Sequence, residues 1–172
     1  MYILGIDLGT TNLKACVYRE DGTAVATASR PTPTHRHPAG YSYHDADEVW
    51  GIVAGMLPEV AGAVAPGQLA CIGITSMAES GVLLDRRTGE TLSPLMPWFD
   101  PCSEPQARRV AAACDPFERF TRTGLRVSFK MGLAKLLWLK EHYPDALRNS
   151  VWVSAAGLIA HRLTGRFAFD YT

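Results

Sequence analysis

The chain opens Met1-Tyr-Ile-Leu-Gly-Ile-Asp-Leu-Gly-Thr-Thr-Asn-Leu-Lys14, and the reading of this stretch decides the fold. An apolar run carries one carboxylate, Asp7, and gives way to the turn Gly9-Thr-Thr-Asn12. A second apolar run, residues 13–18, follows at once. A strand, tight turn and strand of this composition can gather main-chain N–H groups, hydroxyls and Lys14 around an anion. Asp7 then stands where a metal ion bridges to that anion, which suits phosphate and Mg²⁺ chemistry. An ordinary first hairpin, in which Gly9 supplies only a permissive backbone angle, fits the same local pattern equally well.

Outward from the turn, residues 2–8, 13–19 and 24–30 read as a three-strand meander closed by Glu20-Asp-Gly-Thr23. Residues 31–44 are rich in Pro, His and Gly and read as a loop. Asp45 is a good N-cap for the helix that follows, and Asp47 and Glu48 suit its positive end. Val49, Ile52, Val53, Met56, Leu57 and Val60 fall on one helical stripe, with Pro58 predicting a kink or an early end. Residues 69–75 form a continuous apolar run, expected to be a strand buried on both faces. A hairpin is expected through residues 81–85 and Thr91.

Helices dominate the remainder. Ser103 and Gln106 have the spacing of a capping box opening a helix to about residue 113. Residues 131–142 are amphipathic, with Leu133, Leu136, Leu137 and Trp138 expected inward and Lys140 and Glu141 outward. Ser154 caps residues 155–163, and Gly165 ends that helix. Three strands, a helix, a buried strand and further helices predict an α/β domain with a mixed five-stranded sheet flanked by helices. That order is the one used by the ribonuclease-H-like, actin-like ATPase architecture.

Bulk properties narrow the function classes. The 172 residues are 47% hydrophobic and 20% charged, which is globular and sufficient for one domain with a real core. Lys plus Arg and Asp plus Glu both total 17, so the formal net charge is zero and a nucleic-acid surface is disfavoured. No run has the length of a membrane span, and the first residues form a strand and not a signal peptide. Cys16, Cys71, Cys102 and Cys114 are scattered without a Cys-x-x-Cys pair, as reduced thiols of a cytoplasmic protein would be. His35-Arg-His37 with His44 and Asp45 lacks regular ligand spacing and reads as solvent-facing; Arg86-Arg87 and Arg108-Arg109 read as solvated faces.

Residues 7–14, Asp-Leu-Gly-Thr-Thr-Asn-Leu-Lys, resemble the first phosphate motif of the FGGY carbohydrate kinases, the family that includes glycerol kinase and xylulokinase. The likeness runs almost end to end. It continues in Pro38-Ala-Gly-Tyr41 with Asp45 and Trp50, and in Gly73-Ile-Thr-Ser-Met-Ala-Glu79 followed by Val82-Leu-Leu-Asp85. Trp98-Phe-Asp100, Ala134-Lys-Leu-Leu-Trp-Leu139, and Arg162-Leu-Thr-Gly165 with Asp170-Tyr171 complete it. Each motif alone is weak, but six in the right order are strong.

The resemblance implies an ATP- and Mg²⁺-dependent transfer of phosphate to a sugar or polyol. Asp7 would coordinate Mg²⁺, directly or through water, while Gly9, Thr10, Thr11, Asn12 and Lys14 cradle the β- and γ-phosphates. The segment Met77-Ala-Glu79 would meet the acceptor, with Glu79 accepting hydrogen bonds from its hydroxyls. Trp98 would pack against the apolar side of a polyol and Asp100 would orient it. A solvated turn for Glu79 and a core position for Trp98 remain the plain alternatives. Departures leave the sugar open. Cys102 stands where the family often has Arg, Ala78 where glycerol kinases have Arg and xylulokinases Met, and Gly157 where many relatives have Asp. Lys130 falls where some relatives use a substrate-contacting tyrosine; it could reach an acidic sugar, although a plain surface lysine is the ordinary reading.

Family members run to nearly three times this length, in two domains. The general-base Asp and the adenosine-binding motifs are therefore expected beyond residue 172, leaving residues 1–172 as an incomplete N-terminal sugar-binding domain that is inactive alone. Apolar surface left uncovered by a missing half, including part of the helix carrying Leu136 to Trp138, would admit a homodimer. Two rivals stand beside this reading. A ribonuclease-H-like nuclease needs Asp85 and Asp100 to converge on Asp7. A non-catalytic actin-like scaffold or sugar sensor would keep the fold without turnover.

Overall fold

The computed structural model describes residues 1–169. Strand β1 (Tyr2–Leu8) pairs antiparallel with β2 (Asn12–Arg19), from Tyr2 opposite Arg19 to Leu8 opposite Leu13. Strand β3 (Ala24–Pro31) adds to the outer side of β2. The Pro- and His-rich stretch expected as a plain loop contains a small ribbon, β4 (His35–Arg36) with β5 (Ser42–Tyr43). Helix α1 (Ala46–Ala61) then returns the chain to β6 (Leu69–Ser76), which pairs parallel to β1.

The main sheet therefore has the order β3-β2-β1-β6, mixed in direction, with four strands among the described residues where five were expected. The segment that follows does not join it. Strand β7 (Gly81–Asp85) pairs antiparallel with β8 (Ser150–Ser154), forming a separate ribbon. The expected hairpin through Thr91 does form on the other side of β7, with Leu84 bridged to Thr91, the Asp85 N–H donating to the Glu90 carbonyl and the Leu92 N–H donating to the Leu83 carbonyl; β8 is the partner that was not expected. The β7 partner lies more than sixty residues downstream, beyond the reach of local turn signals.

Alternation along β1 and β2 sends Leu4, Ile6, Leu8, Leu13, Ala15 and Val17 to one face, all buried. Helix α1 covers that face with Val49, Val53, Met56 and Val60, while Ile52 and Leu57 pack at its margin. Burying each large aliphatic side chain contributes about 1.5–3 kcal/mol, so this layer is the main source of cohesion. Asp45 caps α1 by accepting from the N–H groups of Asp47 and Glu48. Pro58 lies inside α1, yet the helix runs on to Ala61, so the expected early end does not occur. Helix α5 (Ala155–Thr164) joins the same core through Leu158 and Ile159. It begins where Ser154 accepts from the Gly157 N–H and ends at Gly165, whose φ of 70° is left-handed. Arg162 bonds the Asp47 carboxylate at 2.6 Å and the Gly89 carbonyl at 3.0 Å, clamping α5 to α1 and to the turn after β7.

Strand β6 corrects another expectation. Its residues Cys71, Ile72, Gly73 and Thr75 are exposed: β6 is the edge of the sheet among the described residues, and its faces there are largely uncovered. An apolar run reads the same in sequence whether or not its second face is covered.

A second, smaller core gathers Tyr41, Leu83, Met96, Trp138 and Leu139. Helix α4 (Gly132–His142) supplies Trp138 and Leu139 to it and α2 (Glu104–Ala112) packs against α4, while α3 (Pro116–Thr123) buries none of its residues. The Ser103–Gln106 capping box does not form. Ser103 is fully buried and its hydroxyl donates to the Phe129 carbonyl, while Gln106 donates to Glu141. The inward face of α4 is also shifted from expectation. Ala134, Lys135, Trp138 and Leu139 are buried, Leu136 and Leu137 are half-buried, and Leu133 is exposed. A buried lysine interrupts the apolar stripe, which is why the pattern misassigned the face.

Candidate functional site

Alternation that buries Ile6 and Leu8 sends Asp7 to the opposite, open face of the sheet. There Asp7 lies opposite Lys14 on β2 and Thr75 on β6. A groove of about 550 Å³ runs along this face, lined among others by Gly5, Asp7, Lys14, Cys16, Thr27 and Thr75. Lys14 is exposed and forms no ion pair among the described residues, and the Asp7 carboxylate has no hydrogen-bond partner among them.

The turn after β1 is pinned from two sides. The Gly9 N–H donates to the Asn12 carbonyl at 3.0 Å. Thr32 donates its N–H to the Thr11 carbonyl at 3.0 Å and its hydroxyl to the Gly9 carbonyl at 2.7 Å. A Cβ on Gly9 would stand 2.7 Å from the Asn12 carbonyl oxygen and 3.8 Å from the Asp7 carboxylate. Gly9 is not among the left-handed glycines, so close approach explains it and a permissive angle does not.

Trp98 ties this turn to the segment expected to hold the acceptor. Its indole Nε1–H donates to the Thr10 hydroxyl at 2.9 Å, and its main-chain N–H donates to the buried Ser80 hydroxyl at 3.0 Å. The Lys130 ammonium lies 4.8 Å from the centroid of the Trp98 ring, a cation–π contact. Met77 is buried and its N–H donates to the Leu8 carbonyl at 2.8 Å, prolonging the β1–β6 pairing. Ala78 and Glu79 beyond it are exposed. Glu79 has a left-handed φ of 57°, which costs a non-glycine residue about 1–2 kcal/mol. Its carboxylate accepts from the Gly132 N–H at 2.8 Å, which fixes it against the start of α4.

Asp100 is 6% exposed and holds two main-chain N–H groups, Ser42 at 2.6 Å and Cys102 at 2.9 Å. It thus joins the β4–β5 ribbon to the start of α2. Burial, reinforced by the Asp100 carboxylate, pushes the Cys102 thiol up to about 12, so it stays protonated. Lys135 is fully buried and donates to the Phe129 carbonyl at 3.4 Å and to the Lys130 carbonyl. Burial brings its ammonium down to about 8, against the opposing pull of Glu79, Cys102 and Asp100.

The structure thus joins Thr10 to Trp98 directly and sets Asp7 at the mouth of the same turn, while Glu79 and Asp100 are anchored on α4 and on the ribbon. Four contacts were not anticipated from sequence: those of Thr32, Ser80, Ser103 and Lys135. Thr32, Ser80 and Ser103 act through partners 18 to 26 residues away, and Lys135, although inside the Ala134–Leu139 motif, turns inward to the carbonyls of Phe129 and Lys130. A Mg²⁺ ion takes oxygen ligands and retains waters, and the Asp7 carboxylate, without a hydrogen-bond partner among the described residues and set beside the Gly9 turn, would fit one bound to a polyphosphate.

The acid cluster required of a nuclease is not assembled. Asp85 accepts from the Arg87 and Thr88 N–H groups in the turn after β7, and Asp100 is engaged as described. Among the described residues no group of three or more His, Cys, Asp and Glu side chains lies close enough to hold a metal, the His35–His37 stretch included. The Asp170-Tyr171 landmark lies outside the described residues.

Comparisons with known proteins converge. Residues 2–172 match the model of the N-terminal domain of the FGGY family of carbohydrate kinases. The chain is 33% identical over 185 aligned positions to a glycerol kinase of Gluconobacter oxydans, covering 99% of this chain and 35% of that protein. Among solved structures, a xylulose kinase of Rhodospirillum rubrum superposes with a TM-score of 0.89 at 29% identity, covering 99% of this chain and 35% of that one. A gluconate kinase of Lactobacillus acidophilus gives 0.84 at 26% identity, covering 96% and 34%. The chain spans about a third of the length of the curated relatives it matches. The fold is that of the actin-like ATPases, and the chain belongs to the FGGY family of carbohydrate kinases.

Proposed function

We propose that the protein carrying this chain transfers the γ-phosphoryl group of ATP to a hydroxyl of a sugar or polyol, and that residues 1–172 supply the phosphate turn and part of the acceptor site. The observation that carries this reading is the 2.9 Å bond from the Trp98 indole to Thr10, which couples the turn to the acceptor segment. Phosphoryl transfer demands positioning and charge stabilisation more than covalent participation, and a pinned turn beside an acceptor wall meets that demand.

In this reading the N–H and hydroxyl groups of residues 9–12 and the Lys14 ammonium receive the phosphate oxygens. Asp7 holds Mg²⁺, which supplies neutralisation of the polyphosphate charge when bound. Glu79 accepts hydrogen bonds from acceptor hydroxyls through its free oxygen, and the Met77-Ala78 step carries it to the surface. Trp98 walls the acceptor and Asp100 orients it. The Lys130 ammonium on the Trp98 face favours an acceptor bearing an anionic group. The described carboxylates around the turn are already engaged or assigned to the metal, which supports a general base supplied by residues outside this chain. A cytoplasmic location, where ATP is abundant, accords with this chemistry, and none of the described helices is long and apolar enough to cross a membrane.

An ADP-release assay of the complete gene product against a panel of sugars, polyols and sugar acids tests the reading. One preferred acceptor is expected. Absence of acceptor-dependent ADP release across the panel would overturn it, and turnover by the isolated 172-residue chain would overturn the assignment of the base to another segment.

A further inference from the structure

Lys135 is the only lysine among the buried residues described, and it is fully buried. Placing an ammonium in the interior is unfavourable unless it is hydrogen-bonded, and an apolar residue would fill the same volume without that penalty. Its bonds go to no carboxylate. Both go to main-chain carbonyls, Phe129 and Lys130, in the turn that precedes α4. The Phe129 carbonyl takes a second donor, the buried Ser103 hydroxyl at 2.9 Å. This turn is therefore gripped from α4 on one side and from the start of α2 on the other.

The gripped residues face the candidate acceptor site. Lys130 lays its ammonium over the Trp98 ring, and Gly132 presents its N–H to Glu79. Trp98 in turn holds Thr10 of the phosphate turn. A continuous set of contacts thus leads from Lys135 through the Lys130 main chain to Trp98 and Thr10, with a branch through Gly132 to Glu79.

We propose that Lys135 is a positioning residue: by holding the Phe129 and Lys130 carbonyls it fixes the turn that sets Lys130 on Trp98 and aims the Gly132 N–H at Glu79. It touches no substrate. Its role in catalysis rests on the kinase reading, whereas its hold on the turn does not. Charge-assisted bonds to carbonyls are stronger and more directional than neutral ones, which suits a group that must define the position of a short segment. The depressed Lys135 ammonium is compatible with this role, because a neutral amine still carries two N–H donors for the two carbonyls.

The test uses the complete gene product with Lys135→Met and Lys135→Gln, read in two ways. Amide hydrogen exchange in residues 128–132 is expected to rise about tenfold or more in Lys135→Met, as it does when a local segment loses its anchor, while amides of β1 and β2 keep their rates. Lys135→Gln, which retains an N–H donor, should restore part of the protection. In the kinetic arm the acceptor KM rises about tenfold while the ATP KM stays within about twofold, the pattern of lost acceptor positioning. Unchanged exchange in residues 128–132, or equal acceleration throughout the domain, would overturn the proposal. If Lys135→Met does not fold, Lys135→Gln against the unsubstituted protein decides by the same exchange criterion. A protein that phosphorylates nothing would refute the kinase reading alone, because the exchange arm stands independently of turnover.

Discussion

The indole N–H of Trp98 donates to the hydroxyl of Thr10 at 2.9 Å across 88 residues of sequence. Thr10 lies in the turn between the first two strands, and Trp98 stands at the head of the loop leading to α2. One hydrogen bond therefore ties the turn proposed to hold phosphate to the residue proposed to wall the acceptor.

Trp98→Phe keeps an aromatic face for Lys130 and removes the donor. A neutral hydrogen bond contributes about 0.5–1.5 kcal/mol, so kcat/KM for the acceptor should fall by roughly two- to tenfold with little change in melting temperature. Steady-state kinetics and a thermal melt check this. Unchanged kcat/KM would mean that the bond does not couple the two parts.

Gly9→Ala places a methyl group 2.7 Å from the Asn12 carbonyl, and the neighbour is rigid main chain. The turn must shift, and ATP affinity is expected to fall by about tenfold or more, since one misplaced charge-assisted phosphate contact is worth about 1.5–3 kcal/mol. Asp7→Ala should abolish turnover and leave the melting temperature nearly intact, because Asp7 lies on the open face and not in the core. Calorimetric titration with ATP and Mg²⁺ distinguishes the two variants; normal turnover by Asp7→Ala would remove its metal role.

Much of this arrangement is legible in the sequence. The meander, the Asp45 cap and the α5 caps follow from local chemistry, so β1 and α5 appear within a residue or two of their expected bounds and α1 begins at its expected cap. The Asp7 and Gly9 motif is likewise local, although the reason for Gly9 is contact and not backbone angle. What escaped depends on pairing across long separations. Strand β8 is visible only as the partner of β7, and β6 reads as buried because apolar runs do not report which faces are covered. Ser103 looks like a cap by spacing but is drawn inward by a carbonyl 26 residues away, and Lys135 looks like a surface residue by type.

Lys130→Met removes the cation from the Trp98 face. An exposed cation–π contact is worth only about 0.5–1 kcal/mol, so stability should change little. Preference among acceptors should change more. For a sugar acid the KM is expected to rise about tenfold, the equivalent of one lost charge contact, while a neutral polyol of the same length shifts less than about threefold. Equal shifts for both would show that Lys130 does not read acceptor charge.

His44 gives the fold a dependence on acid. Its ring is fully buried, Nδ1 lies 2.7 Å from the Pro33 carbonyl, and Nε2 has no partner among the described residues. Burial lowers its pKa below 6.5, opposed by the Pro33 carbonyl and aided by nearby His35. The unfolded chain then binds the proton more readily than the folded one. The associated stability is present above 6.5 and is lost as pH falls through the folded value. Melting temperature should drop between pH 7.5 and 5.5, and His44→Asn, which keeps a donor but does not titrate, should drop less. Parallel declines would exclude His44 as the source.

Asp100 was expected to orient a polyol, yet both its oxygens already receive main-chain N–H groups, from Ser42 and Cys102. Each carboxylate oxygen retains a further lone pair, so holding the loops and holding a hydroxyl are compatible. Asparagine cannot serve both partners, because one of its two positions becomes a donor facing a donor. Asp100→Asn is therefore expected to lower stability by about 1–3 kcal/mol, the range for loss of a charge-assisted bond to a buried group. It should also lower kcat/KM for the acceptor, because the ribbon and the start of α2 would no longer be held at a fixed separation. Denaturant melts and acceptor kinetics measured on one preparation separate the two effects. A fall in kcat/KM with unchanged stability would assign the carboxylate to the substrate alone and leave the Ser42 and Cys102 bonds without energetic weight.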